Sequence, residues 1–198
     1  MPSSVPTFDE LIHGCTRSAV HLEMRDSYAV DNEVGRFAAW KDGFRRDPAD
    51  RESWWRPWLD LMSETVSRGV VVRRARIVSE PVSEYIRFEH SGTFTNVAAG
   101  ELVRWLPRRQ ASDIALPGND FWLFDERWIY WNHFAGDGSS MGPEISDDPA
   151  AAKLCAEAFE TVWSRAIPHD QYVTCGTDHS EQGGGMTGSV TPFCNALR

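Results

Sequence analysis

Arginines between positions 73 and 104 are the residues whose type and spacing best suit ligand chemistry. In the segment VVVRRARIV, strand alternation places Arg74 and Arg76 on one face and Arg73 on the other. The planar guanidinium fork forms bidentate hydrogen bonds with carboxylates and phosphates. We therefore predict a site for a small anion or an acidic partner, built from Arg74, Arg76, Tyr85, Arg87 and Arg104.

Internal pairing is the competing interpretation of these arginines. Three glutamates that lie close in sequence, Glu80, Glu84 and Glu89, could neutralise them and leave no charge for a ligand. Replacing Arg74 and Arg76 together separates the two interpretations. A binding site predicts weaker binding with little loss of folding, whereas paired core residues predict unfolding.

Acid–base chemistry has three weaker candidates. Asp120 and Asp125 flank the segment FWLF, where a strand-start cap and a hairpin turn are their expected roles. His133 lies between aromatic strands and the loop AGDGSSMG and could act as a general base. These residues leave open an enzyme of unknown, hydrolase-like type, but we assign no catalytic residue.

Motifs for metals and cofactors are missing from the sequence. The six histidines form no HExxH or HxH pattern, and the four cysteines form no CxxC pattern. There is also no GxxxxGK[ST] segment, no GxGxxG segment follows a predicted strand, and no GxSxG segment joins a predicted strand to a helix. We predict no metal site and no cofactor, and the known types of NTPase, dinucleotide enzyme and α/β-hydrolase are disfavoured.

Alternating helices and strands must position these side chains. The helix WWRPWLDLMSETVSRG leads through a glycine into VVVRRARIV, and SEYIRFEHSGTFTNVAAG leads in the same way into ELVRWLP. The segment NDFWLFDERWIYWNHF predicts a hairpin, and DPAAAKLCAEAFETVWSRAI predicts a last helix capped by Asp148. We predict a single α/β domain over residues 1–172, with a small mixed sheet and helices packed on its faces.

Charge is unevenly distributed along the chain. The net charge is −9, yet residues 68–109 hold 8 Lys/Arg against 4 Asp/Glu. Because counterion release supplies most of the affinity for nucleic acid, an acidic chain predicts no direct nucleic-acid partner. No apolar run reaches the roughly 20 residues that span a bilayer, and the N-terminus lacks a signal-peptide pattern, so we expect a cytoplasmic protein without membrane contact.

Residues 173–198 differ in composition from the rest of the chain. They are rich in glycine, serine, threonine and cysteine and show no apolar period, so we expect a flexible tail. Hydroxyl residues lie near thiols, as in lanthipeptide precursors, where dehydrated Ser/Thr accept cysteine thiolates. The candidates for such a modification are Thr174, Cys175, Thr191 and Cys194.

Four long segments are distinctive: RRARIVSEPVSEYIRFEH, NVAAGELVRWLPRRQA, LPGNDFWLFDERWIYW and DDPAAAKLCAEAFETVWSRAIPHDQY. With them, the sequence from Phe8 to about Tyr172 resembles a bacterial family catalogued as Domain of Unknown Function 6879. This resemblance implies a small cytosolic actinobacterial protein, encoded beside a helix-turn-helix regulator that could be its partner. No activity is implied. We therefore expect a non-enzymatic regulatory or binding module.

The layout is also similar to a phospholipase D-like unit, of which regulators carry degenerate copies. The catalytic HxKxxxxD motif of that group is absent, because Phe134 and Ala135 follow His133 where lysine would be required. The resemblance implies a copy without that chemistry, which favours a sensor or adaptor.

Overall fold

Seven strands form one mixed sheet in the computed structural model, which describes residues 5–29 and 31–174. Numbered in chain order, the strands are β1 (Ser18–Glu23), β2 (Val71–Val78), β3 (Leu102–Pro107), β4 (Asp120–Phe124), β5 (Trp128–Phe134), β6 (Ser140–Ser146) and β7 (Ile167–Pro168). Their order in the sheet is β6-β5-β4-β1-β2-β3-β7. The strands β1, β2 and β3 are parallel, and the others pair antiparallel.

Helices pack on both faces of the sheet, which confirms the predicted mixed α/β fold. They are α1 (Phe8–Gly14), α2 (Asp31–Lys41), α3 (Arg51–Trp54), α4 (Pro57–Ser67), α5 (Glu84–Gly92), α6 (Phe94–Ala98) and α7 (Pro149–Arg165), with a 3-10 turn at Arg108–Ala111. Over residues 5–29 and 31–174, no helix is both long enough and apolar enough to cross a membrane.

Local sequence signals define several helix ends. The Asp148 carboxylate accepts a hydrogen bond from the Ala150 N–H at 2.9 Å, and Pro149 occupies the first turn of α7, as predicted. Thr7 and Glu10 form a reciprocal capping box at the start of α1. These contacts satisfy backbone groups that a helix end would otherwise leave unpaired.

We predicted one continuous helix before β2 and another before β3. This prediction is wrong, because each helix is interrupted. The first is interrupted between Trp54 and Pro57, because a proline disfavours helical backbone at the residue before it, and Arg56 is extended. The second is interrupted at Thr93, whose hydroxyl donates to the Glu89 carbonyl at 2.8 Å. Strand β6 was expected to be a loop in its first part, because its mostly exposed residues lack an apolar alternation.

One face of the sheet is largely apolar and packs on α7, and we call it the α7 face. Its buried side chains include Leu22, Ile77, Leu106, Phe121 and Phe159. Burial of this area supplies the main favourable term in folding.

The opposite face, which we call the cleft face, carries two separate apolar clusters. One lies against α1 and α4 and includes Ile12, Met62 and Phe124. The second lies against α2 and α5 and includes Ile86 and Trp105. Between these clusters, β1, β2 and β4 present polar side chains: His21, Glu23, Arg74, Arg76 and Asp120.

Candidate ligand-binding cleft

A cleft of about 560 Å³ opens above these polar side chains. Its floor is the cleft face of β1, β2 and β4, and its walls come from α2, α4 and α5. Aromatic side chains contribute to the lining, among them Trp58, Phe88 and Phe134. Such a volume lies within the range of about 300–1,000 Å³ that is typical of small-molecule sites.

Two arginines and three glutamates form a buried charge network in the floor. Glu23 lies between Arg74 and Arg76, with 2.5 Å from Oε1 to Nη1 of Arg74 and 2.5 Å from Oε2 to Nε of Arg76. Arg74 also donates from Nε to Oε1 of Glu101 at 2.7 Å. Nη2 of Arg76 lies 2.6 Å from Oε2 of Glu89. Each arginine is therefore paired with two carboxylates.

Because these side chains are buried, the folded protein requires their ion pairs. Arg74 and Arg76 are each 7% exposed, and Glu101 is 1% exposed. Burial opposes the charge of Arg74, but the Coulomb attraction of Glu101 and Glu23 outweighs it and raises the pKa of Arg74. The pKa of Arg76 is raised in the same way by Glu23 and Glu89, against the effect of burial. Both arginines are structural cations whose charge is already neutralised.

Three further arginines, Arg36, Arg46 and Arg56, line the cleft, and we call them the arginine rim. Burial, followed by repulsion from Arg36 and Arg46, lowers the pKa of Arg56 to about 10. Burial and repulsion from Arg36 also lower the pKa of Arg46. In the described part of the chain, the guanidinium groups of Arg46 and Arg56 have no carboxylate within ion-pair distance and form no hydrogen bond. Among the described residues, two of the three rim side chains therefore lack an ion-pair partner.

Arg36 is only partly neutralised. Its Nη2 lies 3.5 Å from Oε1 of Glu33, while its Nε is buried and has no hydrogen-bond partner among the residues that the structure describes. Glu33 in turn accepts a short hydrogen bond from the Tyr85 hydroxyl. The Glu33 carboxylate is thus shared between Arg36 and Tyr85.

Asp120 is the acidic group at the β4 side of the cleft. Its Oδ2 accepts a hydrogen bond from the Tyr28 hydroxyl at 2.5 Å, and its Oδ1 accepts one from the Met24 N–H at 2.9 Å. Burial raises the pKa of Asp120 to about 6; the Tyr28 hydrogen bond opposes this shift, and the negative charge of Glu23 adds to it. Asp120 therefore titrates near neutral pH.

His21 is a neutral, stacked side chain in the floor. Its ring lies 4.3 Å from the Trp122 ring, centroid to centroid, at an interplanar angle of 17°. Burial, reinforced by the charges of Arg74 and Arg76, lowers the pKa of His21 well below its ordinary value. A neutral imidazole next to two arginines can accept a hydrogen bond without adding charge.

A family model for a domain of unknown function, DUF6879, matches residues 6–174. The chain belongs to this family. The match confirms the resemblance predicted from Phe8 to about Tyr172. A search of curated proteins finds no match.

Solved structures with a similar layout are distant from this DUF6879 chain. A phospholipase D family member, Nuc from Salmonella typhimurium, has 11% identity and a TM-score of 0.45, over 80% of this chain and 86% of Nuc. TrmBL2, an archaeal chromatin protein, has 14% identity and a TM-score of 0.42, over 79% of this chain and 47% of TrmBL2. Similarity at this level does not extend to function.

The arginine group predicted from the sequence is divided between two faces of the DUF6879 sheet. Arg74, Arg76 and Tyr85 line the cleft together. Arg104 lies opposite Ala75 in the register, so it projects to the α7 face, where its Nη1 donates to the Trp163 carbonyl at 3.0 Å. Arg87, the remaining residue of the predicted group, donates to the Val82 carbonyl at 3.3 Å and does not line the cleft.

The other predicted candidates lie away from the cleft, except Asp120. Asp125 is in the hairpin turn at φ 50°, and its carboxylate accepts hydrogen bonds from the backbone N–H groups of residues 16–18. His133 lies 3.3 Å from Glu144, on the strand pair β5–β6. Thr174 is the last described residue, and three tail candidates lie outside the described residues: Cys175, Thr191 and Cys194.

Sequence reasoning did not find the arginine rim. Arg36 is on α2, Arg46 lies in a loop, and Arg56 immediately precedes α4, so no common period or motif relates them. Over residues 5–29 and 31–174, no group of three His, Cys, Asp or Glu side chains is arranged to hold a metal ion.

Proposed function

We propose that this protein is a non-enzymatic binding module that takes a small anionic ligand in the cleft. The observation that carries the proposal is the arginine rim. Arg56 is affected by three neighbouring cations, of which Arg36 and Arg46 act most strongly, and by one carboxylate, Glu89. An anion bound among Arg36, Arg46 and Arg56 would replace mutual repulsion with charge-assisted hydrogen bonds.

The charge network in the floor has a supporting part in this proposal. Because Arg74 and Arg76 are held by buried carboxylates, they contribute a fixed surface, and they are not the anion contacts. The proposed contacts thus differ from the group predicted from sequence. The rim supplies the unpaired charge, and the floor supplies rigidity.

A small ligand fits these features better than a polyanion does. The cleft is concave and about 560 Å³ in volume, whereas the whole chain has a net charge of −9. At long range the negative charge repels nucleic acid, and only a compact anion reaches the cationic rim without that cost. This supports the expectation of an anionic small molecule and of no direct nucleic-acid partner.

Binding of pyrophosphate, measured by isothermal titration calorimetry at low ionic strength, tests the proposal. We expect Arg56→Gln and Arg46→Gln each to weaken binding at least about tenfold, because each removes charged hydrogen bonds to the ligand. Arg51→Gln is the matched control, since Arg51 stacks on Trp55 outside the cleft and carries the same charge. Equal binding by the three variants, or no binding by the wild type, would contradict the proposal.

Asp120 favours a second candidate function, an enzyme of hydrolase-like type. Its pKa of about 6 suits a general base. Against this, both carboxylate oxygens already accept hydrogen bonds, from Tyr28 and from the Met24 backbone. Hydrolysis of p-nitrophenyl phosphate by the wild type and its loss in Asp120→Asn would support the enzyme, and no turnover would support the binding module.

The regulatory part of the proposal rests on the family resemblance. We propose a cytoplasmic protein whose ligand-bound state contacts a helix-turn-helix regulator encoded beside it. Co-purification of the two proteins, with and without pyrophosphate, tests this partnership.

A modified peptide in the tail is an alternative role, which the intact mass of the protein from its native host would reveal as losses of about 18 Da per dehydrated hydroxyl.

A further inference from the structure

A second cavity of about 200 Å³ lies between α2 and α5. Its lining includes the uncharged residues Ala39, Trp40 and Phe44. It shares Arg36, Arg46 and Phe88 with the main cleft. Two of the three rim arginines therefore line both cavities, and we call the second one the apolar slot.

Two aromatic side chains of the slot lack the contacts that their chemistry favours. Phe44 is 59% exposed, although it is a large aromatic residue next to a cavity. The indole N–H of Trp40 is buried and has no hydrogen-bond partner among the described residues. An apolar occupant would cover Phe44, and an oxygen on that occupant could accept the indole hydrogen bond.

We propose that the ligand is an amphiphilic anion, a phosphate ester of a short single alkyl or acyl chain. The phosphate lies on Arg36, Arg46 and Arg56, and the chain enters the apolar slot. A phosphate head suits three guanidinium groups because it has three terminal oxygens. This inference rests on the proposed function and adds the chemical class of the ligand.

The position of Arg36 and Arg46 favours a single ligand that occupies both cavities over a separate ligand in each. Both guanidinium groups line both cavities, so a head bound to them places its ester oxygen at the junction. Arg45 lies over the Trp40 ring, 4.3 Å from the centroid, and its stem adds further apolar surface. The slot has room for one short chain, which favours a monomeric ligand over a lipid that remains in a bilayer.

Calorimetric titrations with inorganic phosphate and with butyl, hexyl and octyl phosphate test the inference. Each buried methylene tightens binding by up to about fourfold, so we expect octyl phosphate to bind at least about tenfold more tightly than inorganic phosphate. Ala39→Phe fills the slot and should abolish this gain in affinity with chain length. Ala38→Phe is the matched control, because Ala38 is exposed on the same helix and does not line the slot.

The results separate this inference from the proposed function. If phosphate binds through Arg56 but chain length has no effect on the wild type, the amphiphilic ligand is wrong and the anion site stands. If neither phosphate nor its esters bind, the anion site itself is wrong. Binding to phosphatidate vesicles without binding of monomeric octyl phosphate would also overturn the inference. Should Ala39→Phe fail to fold, the chain-length series on the wild type still decides.

Discussion

Replacement of Arg74 by methionine should destabilise the fold severely. Methionine keeps much of the side-chain length but removes the cation between Glu23 and Glu101. Glu101 is 1% exposed and, within residues 5–29 and 31–174, its carboxylate would retain only the hydrogen bond from Nδ2 of Asn96, at 2.6 Å. Leaving a buried charge unpaired costs about 3–5 kcal/mol of the free energy of unfolding. That is a large part of the 5–15 kcal/mol typical of a domain.

Urea unfolding followed by tryptophan fluorescence at pH 7 measures this cost. With a slope of about 2 kcal/mol per molar urea, the midpoint should fall by about 2 M. Arg73→Met is the matched control on the same strand, because Arg73 pairs with Glu160, which is 57% exposed. We expect this control to lose only about 1 kcal/mol. A loss of less than about 1 kcal/mol in Arg74→Met would refute the assignment of Arg74 as an obligatory buried cation.

A second substitution should restore part of the stability that Arg74→Met loses. Adding Glu101→Gln to Arg74→Met removes the unpaired charge and should restore part of the lost free energy of unfolding. If the double variant is as unstable as the sum of its two single variants, the two side chains are not coupled.

Three further substitutions test other parts of the fold. Burial raises the pKa of Asp120 to about 6, above its ordinary value of 3.8, so the folded protein holds a proton that the unfolded chain releases. The free energy of unfolding should therefore fall by on the order of 3 kcal/mol between about pH 4 and 6, and thermal unfolding of Asp120→Asn should lack this fall. Asp125→Ala removes the acceptor of three backbone N–H groups and should cost about 2 kcal/mol in urea unfolding, with Asp125→Asn less affected. Gly100→Ala should destabilise more than Gly69→Ala, because both glycines have positive φ but only at Gly100 would a Cβ meet the Val66 side chain, at 3.0 Å.

Features that depend on neighbours in sequence could be predicted. Alternation alone places Arg74 and Arg76 on one face of β2, and the pair Asp148 and Pro149 marks the start of α7. These signals act over one to four residues, within a single element. The partner of both arginines, Glu23, is 51 positions from Arg74, and only the pairing of β1 with β2 brings it there.

The arginine rim shows why the candidate site was harder to predict. Arg36 reaches the cleft because α2 packs on α5, where the Phe37 and Tyr85 rings lie 5.6 Å apart. Neither Arg46 nor Arg56 is on an amphipathic stripe. Tertiary packing alone brings the three rim arginines together, so their spacing in the sequence does not predict the rim.

Division of the cleft face into two apolar clusters has a consequence for cooperativity. The cluster against α1 and α4 and the cluster against α2 and α5 are joined across the sheet by ion pairs, not by a shared hydrocarbon core. Regions joined in this way can open with different free energies, and native-state hydrogen exchange resolves such units. A molecule seated between the clusters acts as a bridge and couples their opening. Ligand binding would then slow amide hydrogen exchange in the helices that pack against both clusters.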